Sequence, residues 1–208
     1  MNKINYGLEC DKILDGIKKT GHKPTLLLHA CCAPCSSYVI EYLEKHFDLT
    51  LYFYNPNITD TVEFAYRLNE LERFVCERPG EDIKIIAPEA SSHEFYDAVR
   101  GFEDIPEGGE RCFRCYRLRL EKTAEAAVRG GYDFFCTTLS ISPYKNSDML
   151  CRIGLELEQS HGVRYLPSDF KKHGGYLRSI ELSSIYSLYR QNYCGCGFSK
   201  NEAEKRRG

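Results

Sequence analysis

The stretch that most constrains this chain runs from Pro24 to Tyr38. A short apolar run, Leu26 to Leu28, breaks at His29-Ala30 into three cysteines within five positions, Cys31, Cys32 and Cys35. The apolar run reads as a buried strand. Ser36 and Ser37 then offer N-cap hydroxyls for a helix over residues 38–45. A strand turning at once into a helix is the opening unit of an α/β sheet, whose ligands bind outside the carboxyl ends of the strands. The thiol cluster therefore marks the functional edge.

The rest of the chain repeats this alternation. Further strands are expected at 49–54, 83–87, 132–138 and 163–166, with helices between them. The expected fold is α/β: one domain over residues 1–208, a parallel sheet with helices on both faces. Residues 1–22 read as a peripheral helical segment and 200–208 as a charged, frayed tail. The opening residues lack the basic-then-apolar layout of a secretory signal, and no apolar run reaches the roughly 18 residues of a membrane helix. The expectation is a cytoplasmic protein with no membrane partner.

Eleven cysteines are then anomalous. In a reducing compartment they point to metal or redox chemistry rather than a disulfide framework. Cys10, Cys76, Cys136 and Cys151 stand alone and read as small hydrophobes. The other seven form CC-x-x-C, C-x-x-C and C-x-C groups. Cys112-Phe-Arg-Cys115 places two thiols one turn apart at the start of a helix over 111–129. There the helix dipole and Arg111, Arg114 and Arg117 favour thiolate, and Gly108-Gly109 permits close backbone approach. Alone this is half a zinc site, half an iron–sulfur site or a thioredoxin-type pair. Joined to Cys31-Cys32 it matches Cys₄ zinc or a [4Fe–4S] cluster. Adjacent cysteines bend poorly round one tetrahedral ion and reach two irons of a cubane more readily, which favours the cluster and leaves zinc open.

Cys194-Gly-Cys196 would form only a strained, easily reduced disulfide, which suits a redox-active pair; extra ligands or idle thiols are the alternative. Cys35 reads as a ligand for a second metal or as a thiol beside the first. His29 is a strand-end histidine or a ligand. Lys145, in Ser142-Pro-Tyr-Lys-Asn146, holds a phosphate or orients a substrate, or is a solvated loop lysine. Arg117, Arg119 and Lys122 read mostly as a solvated helix face, with a backbone-contacting patch for RNA as the alternative. The formal charge of −2 gives no overall footprint for nucleic acid, so RNA contact would use local basic patches. A zinc-stabilised RNA-binding module and a sulfur carrier or tRNA thiolase are the rival readings. The latter normally needs nucleotide activation, and no Gly-rich phosphate loop is visible.

Five motifs converge on one family: His29-Ala-Cys-Cys-Ala-Pro-Cys35, Tyr54-Asn-Pro-Asn-Ile58, Arg111-Cys-Phe-Arg-Cys-Tyr-Arg-Leu-Arg-Leu120, Thr137-Thr-Leu-Ser-Ile-Ser-Pro-Tyr-Lys-Asn146 and Tyr193-Cys-Gly-Cys196. In this order, over residues 26–199, the chain resembles the QueH-type epoxyqueuosine reductases. The resemblance implies a Rossmann-like, adenine-nucleotide-hydrolase-like fold. It implies cobalamin-independent, two-electron reduction of epoxyqueuosine to queuosine at the wobble position of tRNA, the last step of queuosine biosynthesis. It also implies a [4Fe–4S] cluster on Cys31, Cys32, Cys112 and Cys115, and a redox-active disulfide between Cys194 and Cys196. The tRNA anticodon loop is the implied partner, with an external electron donor that the sequence does not identify. Some members carry a carboxylate where this chain has Cys35. That leaves Cys35, His29 and Lys145 as candidates for an additional single iron or other metal ion, or for the substrate.

Overall fold

A computed structural model describes residues 4–89 and 91–205. Its sheet is built on β1 (Thr25–His29), with β2 (Asp48–Tyr52) on one side and β4 (Phe134–Thr137) on the other. β3 (Lys84–Ile86) and β5 (Arg164–Tyr165) form the edges, giving the order β3-β2-β1-β4-β5 with every pairing parallel. The helices are α1 (Tyr6–Thr20), α2 (Ala33–Leu43), α3 (Thr61–Glu77), α4 (Ser92–Ala98), α5 (Glu110–Gly130), α6 (Ser147–His161), α7 (Gly175–Ile185) and α8 (Gly197–Lys205). A 3₁₀ turn, Thr138–Ile141, follows β4. The single parallel-sheet domain is the one expected.

Period-two alternation along β1 explains the two layers. Leu26 and Leu28 enter a core with Val39 and Ile40 of α2 and Leu71 and Phe74 of α3. Leu27 enters a second core, with Tyr116, Leu120 and Ala124 of α5 and Leu150, Ile153 and Leu157 of α6. The strand order reverses between β1 and β4, so the ligand crevice of such a sheet opens at their carboxyl ends. In register, His29 stands beside Thr137 there.

Three expectations change. First, α2 begins at Ala33 rather than Tyr38, because Pro34 in its first turn already has the helical φ. The Ser36 and Ser37 hydroxyls do not cap it; they donate inward, to the Cys32 carbonyl at 2.8 Å and the Pro34 carbonyl at 3.0 Å. Cys32 is thus the N-cap residue and Cys35 lies in the first turn. Second, Asn201 to Lys205 are not frayed but continue α8, where Glu202 accepts from Arg111 Nη2 at 2.8 Å and Ser199 is buried. Residues 206–208 of that tail, and residues 1–3 of the opening, lie outside the described residues. Third, Cys76 is exposed, while Cys10, Cys136 and Cys151 are buried as small hydrophobes. The N-terminal segment packs on the domain through Tyr6, Cys10 and Leu14 of α1. No helix among the described residues is long and apolar enough to cross a membrane.

Close packing of α6 on β5 depends on Gly154, whose missing Cβ would run into the Tyr165 ring. Tyr165 is itself buried. Gly154→Ala is therefore expected to destabilise the fold by about 1–3 kcal/mol through overpacking, despite its better helix propensity. Urea unfolding measures this, and a stabilised variant would contradict it.

Candidate metal and thiol centre

The turn between β1 and α2 gathers Cys31, Cys32 and Cys35 so that their sulfurs all lie within 4.8 Å of one another. Cys32 is buried and the other two are half-buried. The Cys31 and Cys32 sulfurs are 3.7 Å apart. Hydrogen bonds from the Cys32 and Cys35 thiols, helped by the nearby Arg119 guanidinium, hold Cys31 well below the ordinary thiol range. Donating to Cys31 pushes Cys32 up to about 12, and Cys35 is raised by its bonds to both neighbours. Three thiols this close resist ionising together, because like charges repel at short range. Full deprotonation needs a metal to balance it. Gln191 Nε2 donates to Cys32 Sγ at 3.0 Å and Thr138 Oγ1 to Cys31 Sγ at 3.6 Å, the pattern of donors that surrounds bound thiolate. Gln191 Oε1 and the Tyr116 hydroxyl are buried without a hydrogen-bond partner among the described residues. A soft, sulfur-rich site with supporting N–H and O–H donors fits iron or zinc.

Arg119 is the residue the sequence most misplaced. It is buried rather than part of a solvated face. Its Nε donates to His29 Nε2 at 3.3 Å and its Nη2 to Asn55 Oδ1. Asn55 in turn donates to the Ala30 carbonyl at 2.9 Å. A signal was available: the buried residues of α5 include Cys112, Cys115, Arg119, Thr123 and Ala127, three or four apart. His29 is wholly buried, its Nδ1 2.9 Å from Thr137 Oγ1 and its Nε2 3.1 Å from the Tyr54 carbonyl. Burial and the Arg119 charge push its pKa down to about 3, so it is neutral. It stands apart from the sulfur trio.

Cys112 and Cys115 sit in the first turns of α5, one turn apart as expected. They lie outside the compact trio, yet Cys31 packs on the core that includes Cys112, and the Arg119 charge acts on both Cys31 and Cys115. Their thiols are not poised as thiolates. Burial raises Cys112 and pushes Cys115 up to about 11. The flanking arginines are engaged elsewhere: Arg111 with Glu202 and the Glu103 carbonyl, Arg114 over the Phe102 ring, and Arg117 with Glu156. Gly108 N–H does favour thiolate, donating to Cys112 Sγ at 3.2 Å. Gly108 serves a left-handed turn, with φ +90°, and a Cβ on Gly109 would strike Ile105 at 2.6 Å. Local backbone geometry, not close approach to a ligand, accounts for this glycine pair.

The Cys194 and Cys196 sulfurs are 3.5 Å apart across Gly195, whose φ of +115° and whose Cβ position, 2.8 Å from Ile58 Cγ1, require glycine. Arg67, buried on α3 and paired with Glu63 at 2.7 Å, donates to the Cys194 carbonyl at 3.1 Å. Asn57 Nδ2 donates to the same carbonyl at 3.3 Å. Ser199 clamps the loop from α8, accepting from Cys194 N–H at 3.0 Å and donating its own N–H to Cys196 Sγ at 3.3 Å. The bond from Cys196 holds Cys194 well below the thiol range, with the Lys145 charge adding to the shift; Cys196 is raised as the donor. Lys145 is no solvated loop lysine. Its side chain is 10% exposed and its Nζ lies 3.9 Å from Glu107 Oε1.

A cavity of about 380 Å³ joins these parts, with Cys31, Cys35, Lys145 and Cys194 all in its lining. Arg67, Arg119, Arg190 and Gln191, none of which sequence reasoning singled out for the site, also line it.

The profile of the family described as "Epoxyqueuosine reductase QueH" matches residues 26–202. The epoxyqueuosine reductase QueH of Staphylococcus epidermidis is 42% identical over 95% of this chain and 85% of its own. That of Streptococcus pyogenes is 41% identical over 95% and 78%, and that of Thermotoga maritima 36% over 88% and 93%. Among solved structures, the U34-tRNA thiolase NcsA of Methanococcus maripaludis, with its [4Fe–4S] cluster, aligns at a TM-score of 0.47 and 14% identity. The alignment covers 96% of this chain and 71% of that one, a likeness too distant to bear on function. On the profile and the curated relatives together, this chain belongs to the epoxyqueuosine reductase QueH family.

Proposed function

We propose that this chain reduces the epoxide of epoxyqueuosine in the tRNA anticodon loop to the alkene of queuosine, without cobalamin and with the Cys194–Cys196 dithiol as the immediate two-electron source. One observation carries the reading: a single cavity is lined both by thiols of the β1–α2 turn and by Cys194. The electron count balances. Turning an epoxide into an alkene takes up two electrons and two protons and releases the oxygen as water. Closing the dithiol into a disulfide yields two electrons and two protons, and an external reductant reopens it. Cys194 lines the cavity whereas Cys196 is 4% exposed in an apolar cluster with Phe95 and Val99, so Cys194 faces the substrate and Cys196 closes behind it. Lys145 supports charge on Cys194 from the same cavity.

Cys31, Cys32, Cys112 and Cys115 are the residues that would hold a [4Fe–4S] cluster, and Cys35 would hold a further single metal ion. Such centres supply single electrons and Lewis-acidic iron when bound. Arg119 and Arg67 act on this region as fixed positive charges that favour thiolate, Arg119 at Cys31 and Arg67 at Cys32. His29 keeps Arg119 in place as a neutral acceptor and takes no proton.

Anaerobically reconstituted enzyme, given tRNA bearing epoxyqueuosine and a chemical reductant, is expected to yield nucleoside lighter by one oxygen. The Cys194→Ser/Cys196→Ser variant should keep its metal-dependent absorbance and lose multiple turnover; undiminished turnover would refute the dithiol's role. Arg119→Met removes a buried positive charge beside the sulfur trio. It is expected to weaken metal retention about 10- to 100-fold in chelator competition, the usual cost of losing a partner behind the ligands. Retention equal to wild type would contradict that placement.

A further inference from the structure

We propose that Tyr144 is a stacking platform for a nucleobase of the substrate RNA at the mouth of the cavity. The inference rests on the reading above, that a tRNA nucleoside is reduced there. Tyr144 lines the cavity yet is 74% exposed, so it stands on the rim. Of the other two tyrosines in the lining, Tyr193 lies under Arg67, with 5.2 Å from guanidinium to centroid, and Tyr176 is half-buried. Among the described residues no ring or cation is stacked on Tyr144.

The backbone presents this ring on a fixed frame. Tyr144 N–H donates to Ser142 Oγ at 3.3 Å, Lys145 N–H donates to the Ser142 carbonyl at 3.2 Å, and Asn146 caps α6 by accepting from Met149 N–H at 3.0 Å. Pro143 fixes φ inside the turn. Adjacent residues therefore divide the work: Lys145 turns inward to Glu107, and Tyr144 stays on the rim.

Charge identifies the partner as RNA. The chain carries a formal charge of −2, yet the cavity lining holds Arg67, Arg119, Lys145 and Arg190 against the single carboxylate of Glu107. Arg67 and Arg119 are buried and bonded within the protein and Lys145 faces Glu107, whereas Arg190 is exposed. An exposed cation beside an aromatic rim is the combination that holds single-stranded nucleic acid, the cation meeting phosphate and the ring meeting base. A base whose substituent reacts inside a cavity has to leave its stack, and an outside aromatic face replaces part of what is lost.

The test uses metal-loaded enzyme and an anticodon stem-loop RNA bearing epoxyqueuosine. Tyr144→Ala and Tyr144→Leu are expected to raise KM on the order of 5- to 150-fold, with a smaller effect on kcat. Tyr144→Phe, which restores the aromatic face, should recover most of that loss. Metal-dependent absorbance and thermal stability should match wild type in all three. An unchanged KM in the alanine and leucine variants would overturn the proposal. So would a phenylalanine variant as impaired as the alanine one, since that assigns the effect to the hydroxyl. If wild-type enzyme reduces nothing, the reductase reading fails by itself. Fluorescence anisotropy with labelled stem-loop then decides the stacking role: weaker binding by Tyr144→Ala supports it, and equal binding refutes it.

Discussion

The arrangement at the sheet edge depends on one buried guanidinium. Arg119 reaches from α5 to His29 at the end of β1 and to Asn55 just after β2, and Asn55 returns to the Ala30 carbonyl. Cys112 and Cys115 lie in the first turns of the same helix, and Cys31 packs on the core that includes Cys112. A cation in an apolar interior is costly unless opposite charge and hydrogen bonds compensate it. Here the compensation includes thiolate at Cys31, so the charge balance of the fold and the chemistry of its sulfurs are one problem.

The cysteine groups also differ in their surroundings. In the β1–α2 turn three thiols crowd within 4.8 Å of one another, an arrangement that a cation would stabilise as thiolates. Cys194 lines the cavity beside Lys145, and Cys196 is buried in a cluster with Phe95, Val99 and Cys115. That asymmetry suits a pair that opens and closes. Cys10, Cys136 and Cys151 are buried elsewhere in the core; Cys136 and Cys151 donate to the Leu166 and Ser168 carbonyls.

The sheet, its parallel sense and the edge that gathers Cys31, Cys32 and Cys35 were legible because strands, turns and thiol motifs alternate in a simple pattern. The start of α2 was not: Ser36 and Ser37 look like caps, but their hydroxyls fold back on carbonyls of the preceding turn. Arg119 and Arg67 were read past because charge usually means solvent, a rule that fails where cations compensate buried sulfur. Spacing along the buried stripe of α5 contained the correction. Nothing local marks Gln191, whose role comes from a long-range approach to Cys32. The helical character of 201–205 likewise comes from tertiary partners, Arg111 to Glu202 above all, and composition alone could only read it as solvated.

The central claim is that two distant segments grip a common inorganic core. Iron and acid-labile sulfide per chain, measured after anaerobic reconstitution of wild type and of a Cys112→Ser/Cys115→Ser variant, tests it most directly. The account predicts about four irons and four sulfides in the wild-type cluster and their loss from the variant. A variant that kept full iron and sulfide, or a wild type that took up only zinc, would contradict it.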